Sequence, residues 1–187
     1  LKLGRHCLIL TPEIGLIPQL VDRFRARFGL RVLEYHSNLS EGMRISAWRK
    51  VIESPGPFIL IGTRSAVFLP LNPLGVIILD EEHDSSYKQE SPMPCYHARE
   101  LALDRARRTG AKVVLGSATP SLLTWKNLKP QGCISLARLT RRISEHALPS
   151  VAVVDMRQEL AQGHRGLISR RLMNELSRLR ESGEQGI

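Results

Sequence analysis

Gly75-Val76-Ile77-Ile78-Leu79-Asp80-Glu81-Glu82-His83-Asp84 is the stretch on which the fold turns. Val76 to Leu79 show no polar alternation, so the run suits a strand covered on both faces, as in a parallel sheet. Its carboxylates then fall at the carboxyl end of the strand, the edge where open α/β sheets bind ligands. A Mg2+ ion held mostly by water and phosphate oxygens needs one carboxylate, and an attacking water needs a second acceptor beside it. Asp80 and Glu81 can supply both. An acidic turn is also common as plain surface. Repulsion among Glu81, Glu82 and Asp84 is costly unless a cation and a neighbouring Arg or Lys relieve it.

Outward from this stretch, strand-length apolar runs recur at Cys7 to Leu10, Arg31 to Tyr35, Phe58 to Ile61, Lys112 to Leu115 and Val151 to Val154. The segments between them read as helices. Leu16 to Phe28 places Leu16, Leu20, Phe24 and Phe28 at four-residue steps and ends at Gly29. Ser40 to Ile52 opens on a capping serine and stops before Ser54-Pro55-Gly56-Pro57. Tyr96 to Thr109 is closed by Gly110, Ile168 to Arg180 carries Leu172, Leu176 and Leu179, and Pro120 to Asn127 predicts a shorter helix. Strand-helix alternation implies right-handed crossovers, hence an α/β fold with a doubly wound, mostly parallel sheet.

The rhythm loosens past Lys129-Pro130-Gln131-Gly132, and the basic pair Arg141-Arg142 precedes a turn at Pro149-Ser150. Residues 1–132 are therefore expected to form one domain, 133–150 a connector, and 151–187 the opening strand and helix of a second unit. The start, Leu1-Lys2-Leu3-Gly4-Arg5, has no initiator Met and enters a strand almost at once, as the cut edge of a longer chain would.

The 187 residues are 42% hydrophobic and 24% charged, enough for one ordinary core. No apolar run approaches the roughly 18 residues of a membrane span, which excludes a membrane-spanning helix. Cys7, Cys95 and Cys133 are odd in number and far apart, so neither a disulfide framework nor a zinc site is encoded, and a reducing cytosol is expected. Lys+Arg 27 against Asp+Glu 18 gives +9, which favours a polyanionic partner such as nucleic acid or nucleotide phosphates.

Gly116-Ser117-Ala118-Thr119 follows the Lys112 strand and brings two hydroxyls to the edge that holds Asp80. Capping of a helix before Pro120 is the plainer role for them. Gly62-Thr63-Arg64-Ser65 leaves another strand end with amides, hydroxyls and a guanidinium suited to a phosphodiester backbone, though an ordinary turn reads the same way. Trp48 and Trp125 fall in predicted helices and are expected to pack in the core. His36 is expected only to end a strand.

Asp80-Glu81-Glu82-His83 resembles the Walker B box of superfamily 2 helicases. Thr11-Pro12-Glu13-Ile14-Gly15-Leu16 with Pro18-Gln19, Gly62 to Ala66, Tyr96-His97-Ala98-Arg99 and Gly116 to Pro120 follow in matching order. The run Asp80 through Gln89 is the most specific part, because ordinary DEAD-box and DEAH-box proteins do not continue that way. Together these motifs are similar, nearly end to end, to the replication-restart helicases of the primosomal protein N′ family. Val154-Asp155-Met156-Arg157 and Gly183-Glu184-Gln185 resemble that family's approach to its second lobe.

The resemblance implies a RecA-like first lobe in an ATP-dependent 3′→5′ DNA helicase that restarts stalled forks in a bacterial-type cytosol. It implies ATP with Mg2+ as cofactor, Asp80 holding the ion through water, and Asp80 and Glu81 as the catalytic pair. His83, Ser117 and Thr119 would couple the phosphate site to nucleic acid. Thr11, Pro12, Glu13, Thr63, Arg64 and Ser65 would line the single-stranded DNA path, with Tyr87, Lys88, Tyr96 and His97 in or beside an aromatic-rich loop that senses DNA. The family's tryptophan before that last element is replaced here within Ser91 to Cys95. Implied partners are single-stranded or forked DNA, primosome components and single-strand-binding proteins, and no membrane.

The family's lysine-bearing phosphate loop, Gly-x-x-x-x-Gly-Lys-[Ser/Thr], does not occur in these residues, and the family places it just upstream of Leu1. Its zinc cysteines would fall beyond Ile187. The chain by itself is therefore expected to be inert as an ATPase. The alternative is a non-catalytic DNA-binding or primosome-scaffold protein built on a helicase lobe.

Overall fold

The computed structural model describes residues 1–128, 134–140 and 150–183. Cys133, Arg141-Arg142, Pro149 and the terminal Glu184-Gln185 lie outside them, as does the turn expected at Lys129 to Gly132. The chain divides into two compact units, Leu1–Leu136 and Ala137–Ile187.

The first unit is built on five parallel strands. They are β1 (His6–Leu10), β2 (Val32–Tyr35), β3 (Ile59–Gly62), β4 (Leu74–Leu79) and a last strand at Lys112–Leu115. Between β4 and that strand the chain makes a short antiparallel hairpin of β5 (Lys88–Gln89) and β6 (Tyr96–His97), so the last strand is β7. The sheet order is β2-β3-β1-β4-β7, with every neighbouring pair parallel. Side chains alternate across the sheet. Leu8, Leu10, Leu60, Ile77 and Leu79 enter one core, and Ile9, Ile59 and Ile61 enter another on the opposite face. This two-sided burial is what the unbroken apolar runs required, and the α/β fold class follows from it.

Helix α1 (Ile17–Phe28) covers the second core through Ile17 and Val21, with Leu20 and Phe24 packed beside them. The stripe expected from Leu16 to Phe28 is turned. Leu16 and Phe28 are each 38% exposed, because four-residue steps drift around a 3.6-residue helix and the buried face runs through 17, 20, 21 and 24. Gly29, at φ 69°, ends the helix. Helix α2 (Glu41–Glu53) is capped by the Ser40 hydroxyl, which accepts from the Met43 amide, as the sequence predicts. Helix α3 (Ala98–Thr109) buries Ala98, Ala102 and Ala106 on the first core and closes on left-handed Gly110. It starts two residues later than expected because Tyr96–His97 pair with Lys88–Gln89. Helix α4 (Leu122–Lys126) is a short one capped by Ser121.

Gly62 shows why a glycine ends β3. A Cβ there would lie 2.3 Å from the Tyr35 carbonyl oxygen and 2.7 Å from Ala66 Cβ. Trp48 and Trp125 do sit on helices, but they are 37% and 50% exposed and are not core residues.

The second unit contains α5 (Met156–Ala161) and α6 (Arg170–Ser182), with Ser169 capping α6. Val151 to Val154 form no strand, and Val151 and Val153 are 87% and 93% exposed. A strand is defined by the ladder it joins, and no partner strand lies beside this run among the described residues. No described helix is long and apolar enough to cross a membrane.

Candidate active site

The acidic turn leaves β4 between β1 and β7, and both neighbours hold it. The Asp80 amide donates to the Leu10 carbonyl at 2.9 Å, and the Glu82 amide donates to the Gly116 carbonyl at 2.9 Å. The Gly116 amide returns a bond to the Leu79 carbonyl at 2.8 Å. The acidic turn and the Gly116–Thr119 turn therefore share one rim of the sheet. A Cβ at Gly116 would lie only 3.7 Å from Asp80 Oδ1.

Asp80 is exposed and opens onto a shallow hollow lined by Leu16, Gln19, Leu20 and Arg23. Glu81 has φ 45°, the one positive value at a non-glycine residue among the described residues. That conformation costs roughly 1–3 kcal/mol and persists only where its surroundings over-determine it. Glu81 Oε2 is buried without a hydrogen bond, 3.5 Å from His83 Nδ1. His83 spans the gap to the second turn. Its Nδ1 is 2.8 Å from Ser117 Oγ and its Nε2 3.5 Å from Thr119 Oγ1, while Ser117 Oγ also accepts from the Thr119 amide at 3.0 Å. Capping of α4 falls to Ser121, so Ser117 and Thr119 are left to face His83.

Glu82 is buried, and nothing in the sequence reading gave it a role. Its carboxylate accepts from the Ser121 amide at 2.7 Å, Arg99 Nη1 at 2.9 Å, Thr124 Oγ1 at 3.0 Å and Ser121 Oγ at 3.2 Å. Burial pushes this carboxyl up, but the four hydrogen bonds outweigh it and hold the pKa below the ordinary glutamate value. The repulsion expected in the turn is thus relieved in part by Arg99 from α3. Asp84 accepts from the Ser86 amide at 2.7 Å, a bond that lowers its pKa and makes it a turn cap.

Several expected DNA contacts lie elsewhere than on an open surface. Tyr87 is fully buried, and its hydroxyl donates to the Asp80 carbonyl at 2.7 Å and the Leu10 carbonyl at 2.9 Å. It anchors the acidic turn and presents no ring for stacking. Burial, followed by the negative charges of Asp80, Asp84 and Glu81, pushes its phenol far above the ordinary tyrosine range. Thr11 is also fully buried, with an unpartnered hydroxyl. Arg64 donates to the carbonyls of Lys88 at 2.8 Å and Ser86 at 3.1 Å and lies over the Tyr96 ring at 5.7 Å, so it clamps the hairpin. Period and motif order do not reveal such contacts, because the Arg64 bonds and the Tyr87 bond to Leu10 join residues at least 22 apart.

Pro12, Thr63, Ser65, Tyr96 and His97 are half-buried, and Glu13 and Lys88 are exposed. Lys88 Nζ pairs with Glu90 at 2.6 Å. His97 Nδ1 accepts from the Arg99 amide at 3.3 Å, and burial lowers its pKa. His36 follows β2 as expected and lies 3.8 Å from Glu34.

Among the described residues no group of three or more His, Cys, Asp or Glu converges on a metal position. A cation at Asp80 would thus draw most of its ligands from water and phosphate, the coordination that suits Mg2+.

The DEAD/DEAH box helicase family matches residues 1–128. The replication restart protein PriA of Synechocystis is 49% identical over 98% of this chain and 22% of its own length. PriA of Bacillus subtilis is 45% identical over 98% of this chain and 22% of its own, and PriA of Haemophilus influenzae 40% over 99% and 24%. The chain therefore spans under a quarter of the length of these curated relatives. Among solved structures, the C-terminal part of the Fun30 ATPase domain covers 61% of this chain and 35% of that one, with a TM-score of 0.42 and 17% identity. The match across residues 1–128 takes in the acidic turn, its two anchoring strands and the Gly116–Thr119 turn, and the chain belongs to the DEAD/DEAH box helicase family.

Proposed function

We propose that the chain is part of an ATP-dependent 3′→5′ DNA helicase acting in replication restart and primosome assembly in the bacterial cytosol. Residues 1–132 are its first motor lobe, 133–150 a connector, and 151–187 the opening of the second lobe. The observation that carries this reading is the strained Glu81 beside an open Asp80, with His83 bridging to Ser117 and Thr119.

Asp80 would orient the waters of a bound Mg2+, which with ATP supplies charge neutralisation at the phosphates. Glu81, with one oxygen carrying no hydrogen bond, would accept the proton of the attacking water. His83 keeps the two hydroxyls in register with the turn, so a shift of either turn reaches the other. Thr63, Ser65 and the exposed end of Lys88 offer contacts to a single-stranded DNA backbone, and the half-exposed Tyr96 offers a ring for a base. Single-strand-binding and primosome proteins are proposed partners by family likeness. Zinc is assigned to the family's later cysteines and to none in this chain.

The test is ATP hydrolysis by the intact natural protein with single-stranded DNA. Asp80→Ala and Glu81→Gln are expected to lower kcat at least about 100-fold while salt-sensitive DNA binding persists, and chelating Mg2+ abolishes turnover. The purified 187-residue chain, which has no lysine phosphate loop, should show no turnover above its Asp80→Ala control. Native turnover in both variants of the intact protein would sink the reading.

A further inference from the structure

We propose that Glu82 and Arg99 are positioning residues that hold Glu81 in its left-handed geometry, an inference resting on the acidic turn being the hydrolytic corner. Glu82 is 1% exposed, so its carboxylate meets no substrate. Its four hydrogen-bond donors come from the start of α3 and from Ser121 and Thr124 at the start of α4, and its amide is spent on Gly116. Arg99 is itself fixed, because Nε and Nη2 fork onto Glu100 Oε1 at 3.2 and 3.1 Å and Nη1 also donates to Ser121 Oγ at 2.8 Å.

On the other side of Glu81, Asp80 is held at both ends of its peptide unit, by the Leu10 carbonyl and the Tyr87 hydroxyl. Glu81, whose own carbonyl accepts from the Asp84 amide at 2.9 Å, thus links two anchored residues, and its φ of 45° cannot relax unless an anchor moves. The Asp80 anchor consists of backbone and one phenol. The Glu82 anchor is an ion pair at 2.9 Å between side chains 9% and 1% exposed. Loss of the Arg99 charge leaves the Glu82 carboxylate buried without its cation, and loss of the Glu82 charge leaves Arg99 only its fork onto Glu100, and either change drives the turn to rearrange. A rearranged turn carries the Glu81 carboxylate away from the position where it would meet the attacking water. Misplacement of such a group by about 1 Å is enough to cost 100-fold in rate.

The experiment uses the intact natural protein and reads amide hydrogen exchange over residues 80–84 and 116–121, together with kcat and KM for ATP at saturating single-stranded DNA. Glu82→Gln and Arg99→Ala are expected to raise exchange in both segments and lower kcat about 100-fold, with KM within about twofold. Arg99→Lys keeps the charge but loses the fork, and its kcat should fall between those of the native protein and Arg99→Ala. Arg105→Ala removes a guanidinium that donates to the Val67 and Leu71 carbonyls far from the turn, and it should lower the unfolding midpoint while leaving exchange at residues 80–84 and kcat unchanged.

Native kcat in Glu82→Gln and Arg99→Ala overturns the proposal, and so does a kcat loss in Arg105→Ala equal to theirs. Should Arg99→Ala fail to fold, Arg99→Lys decides, an intermediate kcat supporting the proposal and a native one overturning it. Full turnover in Glu81→Gln defeats the hydrolytic assignment instead, and exchange at residues 80–84 still reports whether the pair holds the turn.

Discussion

Tyr87→Phe isolates one hydroxyl that holds the acidic turn against β1. The ring is fully buried, so phenylalanine keeps its packing and removes only the bonds to the Asp80 carbonyl at 2.7 Å and the Leu10 carbonyl at 2.9 Å. The Leu10 carbonyl still accepts from the Asp80 amide, so its loss is close to that of one ordinary hydrogen bond, about 1 kcal/mol. The part-buried Asp80 carbonyl loses its phenol donor, and an acceptor left under-satisfied costs about 1–3 kcal/mol. The sum is about 2–4 kcal/mol, a fall in Tm of about 4–16 °C for a chain of this size. Urea unfolding followed by circular dichroism measures it, and the m-value should not change because the buried area is the same. A shift of the urea midpoint worth under about 0.5 kcal/mol would show that the hydroxyl does not anchor the turn. Spectroscopic titration gives a second check. The Tyr87 phenol should resist ionisation through the ordinary tyrosine range, because burial and three carboxylates oppose its phenolate, and this resistant signal should vanish in Tyr87→Phe.

Gly62→Ala should cost about 3 kcal/mol or more by thermal unfolding, since its Cβ would meet the Tyr35 carbonyl at 2.3 Å, whereas Gly15→Ala, with no atom within 4 Å, should change stability by under about 1 kcal/mol. His6 accepts from the Phe58 amide through Nδ1 at 3.0 Å and its pKa is lowered from 6.5, by burial first and then by Arg105 against an opposing backbone bond. The unfolded chain then takes up this proton before the folded one does, so the stabilisation is complete above pH 6.5 and is lost as pH falls from there through the depressed folded value. Unfolding midpoints of the native chain should therefore drop across that window, and a His6→Gln chain with the same drop would remove His6 as the cause.

Much of the fold was readable from short-range pattern. The five strands of the sheet, the glycines that end α1 and α3 and the serine that caps α2 all follow from local rules: unbroken apolar runs, positive φ, and a hydroxyl set before an orphaned amide. The candidate site was half readable. Asp80, Glu81, His83, Ser117 and Thr119 share one rim, as the strand ends implied, because parallel strands bring their carboxyl ends to the same edge. The runs at Val151 and at Tyr96 misled for a common reason. An apolar or aromatic segment states that it can be buried and leaves open which partner will pair with it.

By itself, then, the sequence determined which faces are apolar, where elements stop, and that carboxylates and hydroxyls would meet at the end of β4 and β7. Only the tertiary structure decided that β1 lies between β3 and β4, that Tyr87 turns inward to the Asp80 carbonyl, that Arg64 closes on the hairpin, and that Glu82 finds Arg99. The division is physical. Hydropathy and capping act within a few residues and leave a periodic trace, whereas a buried ion pair or a phenol bond joins residues brought together by packing, and chain order carries no record of that distance.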